Sequence, residues 1–182
     1  LSHRSHKVMV KIHPGLSMWR SILCERILKA ARQASLNEVF VDVALVTSNL
    51  HNSLVENTTS SEGMKRLLWE IGELGNGLSV GAEGLNEITF QGMSFAQVHL
   101  FRSAQTSING LERTGGCPFN DFLFGKLTRS FGYSGLGGRD ANEELRARIH
   151  EEHGALPTIT PRSAAEIEKP TAAVKRSLEN AK

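Results

Sequence analysis

A chain of 182 residues with 40% hydrophobic and 22% charged residues is long enough for one domain with its own hydrophobic core. The formal net charge of +2 gives no electrostatic basis for binding nucleic acid or a membrane surface. Cys24 and Cys117 are too few for a disulfide framework or a zinc set, and no apolar run approaches the roughly 18 residues of a membrane span. We expect a single soluble domain over residues 1–182, with residues 1–6 disordered, no metal or other cofactor, and no compartment assigned.

The chain is predicted to begin with a strand at Lys7–Ile12, a turn at 13–15 that uses Pro and Gly, and a helix at Trp19–Ala34. A second strand within Glu38–Ser48 carries one acid, Asp42, in an apolar run. Because burying a lone ionised carboxylate is costly, Asp42 is expected to be tightly hydrogen-bonded or to meet a ligand.

A polar loop from Thr47 to Thr59 leads to a capping box at Thr59–Glu62, which predicts the start of a second helix. The strand Leu78–Ala82 follows, and Glu83 comes directly after it. Two strands joined by a helix form a parallel pair whose carboxyl ends meet at one edge, where α/β proteins bind ligands. Asp42 and Glu83 are therefore predicted to converge there.

The middle of the chain has a less regular pattern. The periodicity of Met93–Ala104 fits a helix or a strand, and its length favours a helix. Phe119–Phe124 is predicted as a strand that contains Asp121, and Gly132–Gly138 as a glycine-rich loop.

The last part of the chain is predicted to contain two helices and a strand. Asp140 caps a helix that stops at Gly154, and Leu156–Ile159 is a short strand. Ser163 caps a final helical stretch that Pro170 interrupts. The whole pattern is strand and helix in alternation, five times.

Several familiar motifs fail on their spacing. His150 and His153 are three residues apart, whereas the zinc-binding histidines of a zincin are four apart. Gly125-Lys126 lacks the remaining residues of a phosphate-binding loop, and the glycines at 132–138 do not match a dinucleotide-binding motif.

The segments Val39–Ala44 and Ser79–Gly84 resemble strands four and five of TIM-barrel glycoside hydrolases, in particular retaining enzymes of the α-amylase type. The resemblance implies that Asp42 is the nucleophile and Glu83 the acid/base. The chain departs from the α-amylase pattern at Phe40, where those enzymes carry an arginine.

The lead-in over residues 13–20 is similar to uncharacterised glycoside-hydrolase-like TIM barrels. A rival alignment concerns Asn86-Glu87, which resembles the Asn-Glu pair that ends strand four in another large clan of retaining glycosidases. That alignment would make Glu87 the acid/base. Candidate substrate-binding residues on predicted loops and strand ends are His51, Asn52, Arg113 and Asp121.

The fold expected from this resemblance is a (β/α)8 TIM barrel. Because such a barrel usually needs about 250 residues, the chain is interpreted as an incomplete barrel, strands three to seven, whose open edges would favour self-association. The expected function is hydrolysis of glycosidic bonds in a carbohydrate substrate, with retention favoured over inversion. Two alternatives stay open: a non-catalytic α/β domain that binds carbohydrate or another small ligand, and an open doubly wound sheet.

Overall fold

The computed structural model describes residues 12–42, 44, 53–98, 119–132, 136 and 143–181. These residues form an α/β structure with the following elements: α1 Ser17–Gln33, β1 Glu38–Val41, α2 Ser60–Leu74, β2 Ser79–Glu83, a short 3-10 helix Phe90–Gly92, β3 Phe95–Val98, α3 Phe119–Phe124, β4 Arg129–Gly132, α4 Glu143–His153, α5 Ala164–Glu168 and α6 Ala172–Asn180. No helix within these ranges is long and apolar enough to cross a membrane.

The four strands form one parallel sheet in the order β1-β2-β3-β4, which is also their order in the chain. A fifth segment lies beside β4: Leu156 N donates to Ser130 O at 2.7 Å, and Leu136 and Ile159 form a parallel bridge. The predicted strand at Leu156–Ile159 is thus present as two isolated bridges. Five parallel segments follow one another across the sheet without a reversal of order.

The main core lies between one face of this sheet and the helices α1 and α2. Val80, Ala82 and Ala96 contribute to it from the sheet, and Leu68 and Ile71 of α2 are completely buried against them. Since strand residues alternate between faces, the residues between these positions point away from the helices. A smaller cluster joins α4 and α6.

The first two helices form where the sequence predicts them. The capping residue of α2 is confirmed, because Thr59 Oγ1 accepts a hydrogen bond from Glu62 N at 3.1 Å. Ser163 likewise accepts from Glu166 N at the start of α5. The predicted strand at Lys7–Ile12 (apart from the exposed Ile12), residues 1–6 and the cap at Asp140 lie outside the described residues.

Two predicted elements in the middle of the chain are wrong. The segment predicted as a helix at Met93–Ala104 contains β3 instead. The segment predicted as a strand at Phe119–Phe124, which includes Asp121, is the helix α3. The reason is tertiary: Arg129–Gly132 occupies the sheet position next to β3, so the residues before it serve as the helical connection.

The turn before α1 is held in place by a buried arginine. Arg20 donates to Pro14 O and Gly15 O, both at 2.9 Å, and its Nε lies 3.1 Å from the Glu70 carboxylate on α2. Gly63 lets the turn approach α2, since a Cβ at that position would collide with the Pro14 backbone. The turn therefore packs against the amino-terminal end of α2 at Gly63, and Arg20 connects it to Glu70 further along the same helix.

Candidate functional site

The carboxyl ends of β1 and β2 bring two acids to one edge of the sheet. Val41 is paired with Ala82, so Asp42 and Glu83 are the next residues on two adjacent parallel strands. Neighbouring strands are about 4.8 Å apart, and alternation along β2 places Glu83 on the face away from the helices, whereas Asp42 follows the last residue of β1. The sequence-based expectation that these two strand ends lie side by side agrees with this register.

The two acids occupy different environments. Glu83 is only 6% exposed, whereas Asp42 lies just beyond the end of β1 and is exposed. Asp42 is exposed because β1 ends at Val41 and the acid follows it. The edge thus offers one solvated and one buried carboxyl group.

β3 adds an amide to the same row of side chains. Gln97 is paired with Glu83 on one side and with Phe131 on the other. Gly84, the residue after Glu83, donates its backbone N–H to Gln97 O at 2.6 Å and has a φ of +85°, which glycine adopts without strain. The backbone is therefore fixed on both sides of the Glu83–Gln97 pair.

A layer of three phenylalanines lies on the same face of the sheet: Phe131 stands in this row, and Phe40 and Phe95 come two residues earlier than Asp42 and Gln97. The ring centroids of Phe40, Phe95 and Phe131 are 6.1–6.5 Å from one another. Gly81 leaves room for this layer, because a Cβ there would collide with the Phe95 ring. Aromatic side chains thus share this face of the sheet with Glu83.

The phenylalanine layer also reveals the curvature of the sheet. Phe40 is on β1 and Phe131 on β4, which are three strand spacings apart, or about 14 Å on a flat sheet. Their ring centroids are nevertheless 6.1 Å apart. The sheet is consequently concave on the face that carries Glu83.

Comparisons of the chain with protein-family models, curated proteins and solved structures found no match. Function is therefore inferred from the sheet edge and the residues on it.

The rival acid Glu87 is not at a strand end. It lies four residues beyond β2 in an exposed turn. Asn86 before it is used locally, since its side-chain oxygen accepts hydrogen bonds from Ile88 N at 2.9 Å and Thr89 N at 3.1 Å. The structure places Asp42 and Glu83 at the ends of the adjacent strands β1 and β2 and leaves Glu87 away from them.

The remaining candidates for substrate binding are not placed at this edge. Asp121 is in α3. The other three lie outside the described residues: His51, Asn52 and Arg113.

No group of three histidine, cysteine or acidic side chains in the described ranges is arranged to hold a metal ion. His150 of the His150–His153 motif is 1% exposed, and its Nδ1 lies 2.7 Å from Arg146 O one turn earlier in α4. Since a carbonyl oxygen can only accept, Nδ1 carries the proton in this contact.

A cavity of about 470 Å³ lies at the opposite edge of the sheet. Arg129 at the start of β4 lines it together with the carboxyl-terminal ends of α4 and α6, including the buried Ser177. Because Arg129 marks the amino end of a strand, this cavity is separate from the edge that carries Asp42 and Glu83.

Two residues of the site were missed in the sequence, Gln97 and Phe131. Both belong to segments that were not predicted as strands. The available signal was alternation: Phe95 and Gln97 face one side of the sheet, and the fully buried Ala96 faces the other.

Proposed function

We propose that the chain supplies five consecutive strands of a (β/α)8 barrel and that Asp42 and Glu83 are the carboxylate pair of a retaining glycosidase. Three features support the barrel: parallel strands in chain order, the concave face, and the helices α1 and α2 on the outer face. With Asp42 at the end of strand four, the described strands become four to eight rather than three to seven, because β3 and β4 replace one predicted strand.

The observation that carries the proposed activity is that Asp42 directly follows β1 while Glu83 ends the adjacent parallel strand β2. Strands about 4.8 Å apart bring carboxyl groups close to the 5–5.5 Å separation of retaining enzymes. Inverting enzymes need a gap of about 6.5–9.5 Å to hold a water molecule. Adjacent strand ends are compatible with the shorter separation, and retention is therefore the proposed outcome.

In this mechanism the exposed Asp42 attacks the anomeric carbon and forms a covalent glycosyl–enzyme bond. Glu83 gives its proton to the leaving oxygen as the glycosidic bond breaks. Glu83 then takes a proton from water, which attacks the anomeric carbon and releases Asp42. The buried position of Glu83 suits a general acid, which has to hold its proton before the reaction.

The test is hydrolysis of a panel of aryl and alkyl glycosides by the full-length protein. We expect Asp42→Asn and Glu83→Gln each to lower kcat by about 10²- to 10⁴-fold or more, with thermal unfolding unchanged. Glu87→Gln is the matched control, because it removes an exposed acid outside the row, and it should remain active. Full activity in either row variant removes that residue from the mechanism.

The alternative function is binding of a carbohydrate without hydrolysis. The exposed acid Asp42 and the partly exposed Phe40, two residues before it, are also suited to binding a sugar. Saturable sugar binding by a full-length protein that hydrolyses no glycoside in the panel would replace the glycosidase by this alternative.

A further inference from the structure

We propose that the cavity at the amino end of β4 binds a neutral polyhydroxy compound such as a monosaccharide. The last turns of α4 and α6 form this cavity together with the fifth segment of the sheet. The site lies away from Asp42 and Glu83, and it does not depend on the glycosidase function proposed above.

The size of the cavity fits a small organic ligand. Its volume of about 470 Å³ is within the range of roughly 300–1,000 Å³ that is usual for ligand pockets. A single structural water occupies only about 30 Å³. The cavity is therefore much larger than a site for one buried water molecule.

A buried hydroxyl group on the cavity wall lacks a hydrogen-bond partner. Ser177 is 3% exposed, and its Oγ makes no hydrogen bond within the part of the chain that the structure describes. Asn180 and Ala181, three and four residues later on the same side of α6, also line the cavity. Because burying a hydroxyl without a partner is costly, a ligand hydroxyl that bonds to Ser177 offsets this cost.

The charges around the cavity favour a ligand without net charge. The carboxyl ends of α4 and α6 carry partial negative charge, and Glu151 adds a carboxylate that lies 3.0 Å from Arg176; both disfavour an anion. Arg129 at the start of β4 disfavours a cation. Hydroxyl groups can donate to helix carbonyl oxygens and accept from a guanidinium group, so a polyhydroxy compound satisfies both kinds of neighbour. Leu156 and Pro157 supply apolar surface for the C–H groups of a sugar ring.

The test is a titration of the full-length protein, labelled with isotopic alanine for NMR, with glucose, galactose and mannose at millimolar concentrations. Ala155 and Ala181 line the cavity, whereas Ala82 directly precedes Glu83 at the other edge of the sheet. We expect at least one of these sugars to shift the amide signals of Ala155 and Ala181 in a saturable way. Inorganic phosphate is titrated in parallel and should leave both signals unchanged.

Two variants examine the wall of α6. We expect Ser177→Ala to weaken sugar binding about threefold to tenfold, which corresponds to the loss of one hydrogen bond. Its Tm without sugar should equal or exceed that of the wild type, because the substitution removes a buried hydroxyl that has no partner. Asn180→Ala changes an exposed side chain and should weaken binding about threefold without affecting the fold. Ser21→Ala, at an exposed serine in α1, is the matched control and should bind as the wild type does.

The outcomes separate this site from the proposed active site. If none of the three sugars shifts Ala155 and Ala181, or if a sugar shifts Ala82 alone, the cavity is not a sugar site, and the Asp42 and Glu83 variants still decide the glycosidase function. Phosphate binding in place of sugar binding overturns the assignment of a neutral ligand. Wild-type affinity in both Ser177→Ala and Asn180→Ala overturns the proposed site on α6.

Discussion

The rings of Phe40 and Phe131 lie 6.1 Å apart although they come from the two outer strands of a four-stranded sheet. Such an approach requires the sheet to bend toward the face that carries them. An open doubly wound sheet has helices on both faces and a reversal in strand order. In the described part of the chain, α1 and α2 pack on the other face and the order does not reverse. This relationship favours a barrel over an open sheet.

The phenylalanine layer depends on the absence of a side chain at Gly81. We expect Gly81→Ala to lower the free energy of unfolding by about 1–3 kcal/mol, because the new methyl group would displace the Phe95 ring. Gly72→Ala on α2 is the control: its Cβ would lie 3.7 Å from Val80, an ordinary contact, and alanine is the better helix former by about 1 kcal/mol. Urea unfolding measures the free energy of unfolding of both variants. An unchanged value for Gly81→Ala would show that the Phe95 ring can move aside at no cost.

Arg20 is expected to be a major contributor to stability. Arg20→Met leaves two backbone carbonyls without their donor and removes the partner of Glu70, so we expect a loss of about 2–3 kcal/mol. The expected loss of stability is smaller than for a fully buried ion pair because the Glu70 side chain is 35% exposed. Arg66→Met breaks an exposed pair with Glu62 and should cost less than about 0.5 kcal/mol. Equal losses of unfolding free energy in Arg20→Met and Arg66→Met would show that burial does not make the Arg20 contacts stronger.

A carboxylate at the start of α1 predicts a pH-dependent contribution to stability. Glu56 accepts a hydrogen bond from Ser17 N at 3.1 Å, and the contacts with Ser17 lower the pKa of Glu56 from its usual 4.5. A pKa that is lower in the folded state gives stability that is present above pH 4.5 and is lost as the pH falls through the folded value.

Glu56→Gln should therefore have a lower Tm than the wild type at pH 7, and the difference should disappear at acid pH. Thermal unfolding between pH 2.5 and 7 measures this dependence. Glu25→Gln, on the exposed surface of α1, is the control for removing one negative charge. A Tm difference that is the same at every pH would show that the Glu56 charge is not responsible.

The purified 182-residue chain should self-associate. Phe40 is 39% exposed on the concave face, and the proposed incomplete barrel would leave strand edges without partners. Unpaired edges and exposed apolar faces promote association. Sedimentation velocity should find dimers or larger species at micromolar concentration. A monomer that unfolds cooperatively would contradict an incomplete barrel with unpaired strand edges. The open doubly wound sheet would then be the better interpretation.

The sequence predicted the first half of the sheet better than the second. The capping residue Thr59 correctly predicted the start of α2, and the apolar run before Glu83 correctly predicted β2. In Phe95–Val98 and Phe119–Phe124 the local pattern allows either element, and sheet pairing decides between them. The site follows the same division: its acids were predicted, whereas Gln97 and Phe131 depend on pairings that the sequence does not specify.

The most direct test of the account is to identify the residue that carries a covalent glycosyl intermediate. The full-length protein is treated with an activated 2-deoxy-2-fluoroglycoside of a sugar that it hydrolyses, which slows release of the intermediate, and is then digested and mapped by mass spectrometry. We expect one sugar on the peptide that contains Asp42, and none in Asp42→Asn. A sugar attached to another residue, or hydrolysis with inversion and no covalent label, would contradict the assignment of Asp42 and Glu83 as a retaining pair.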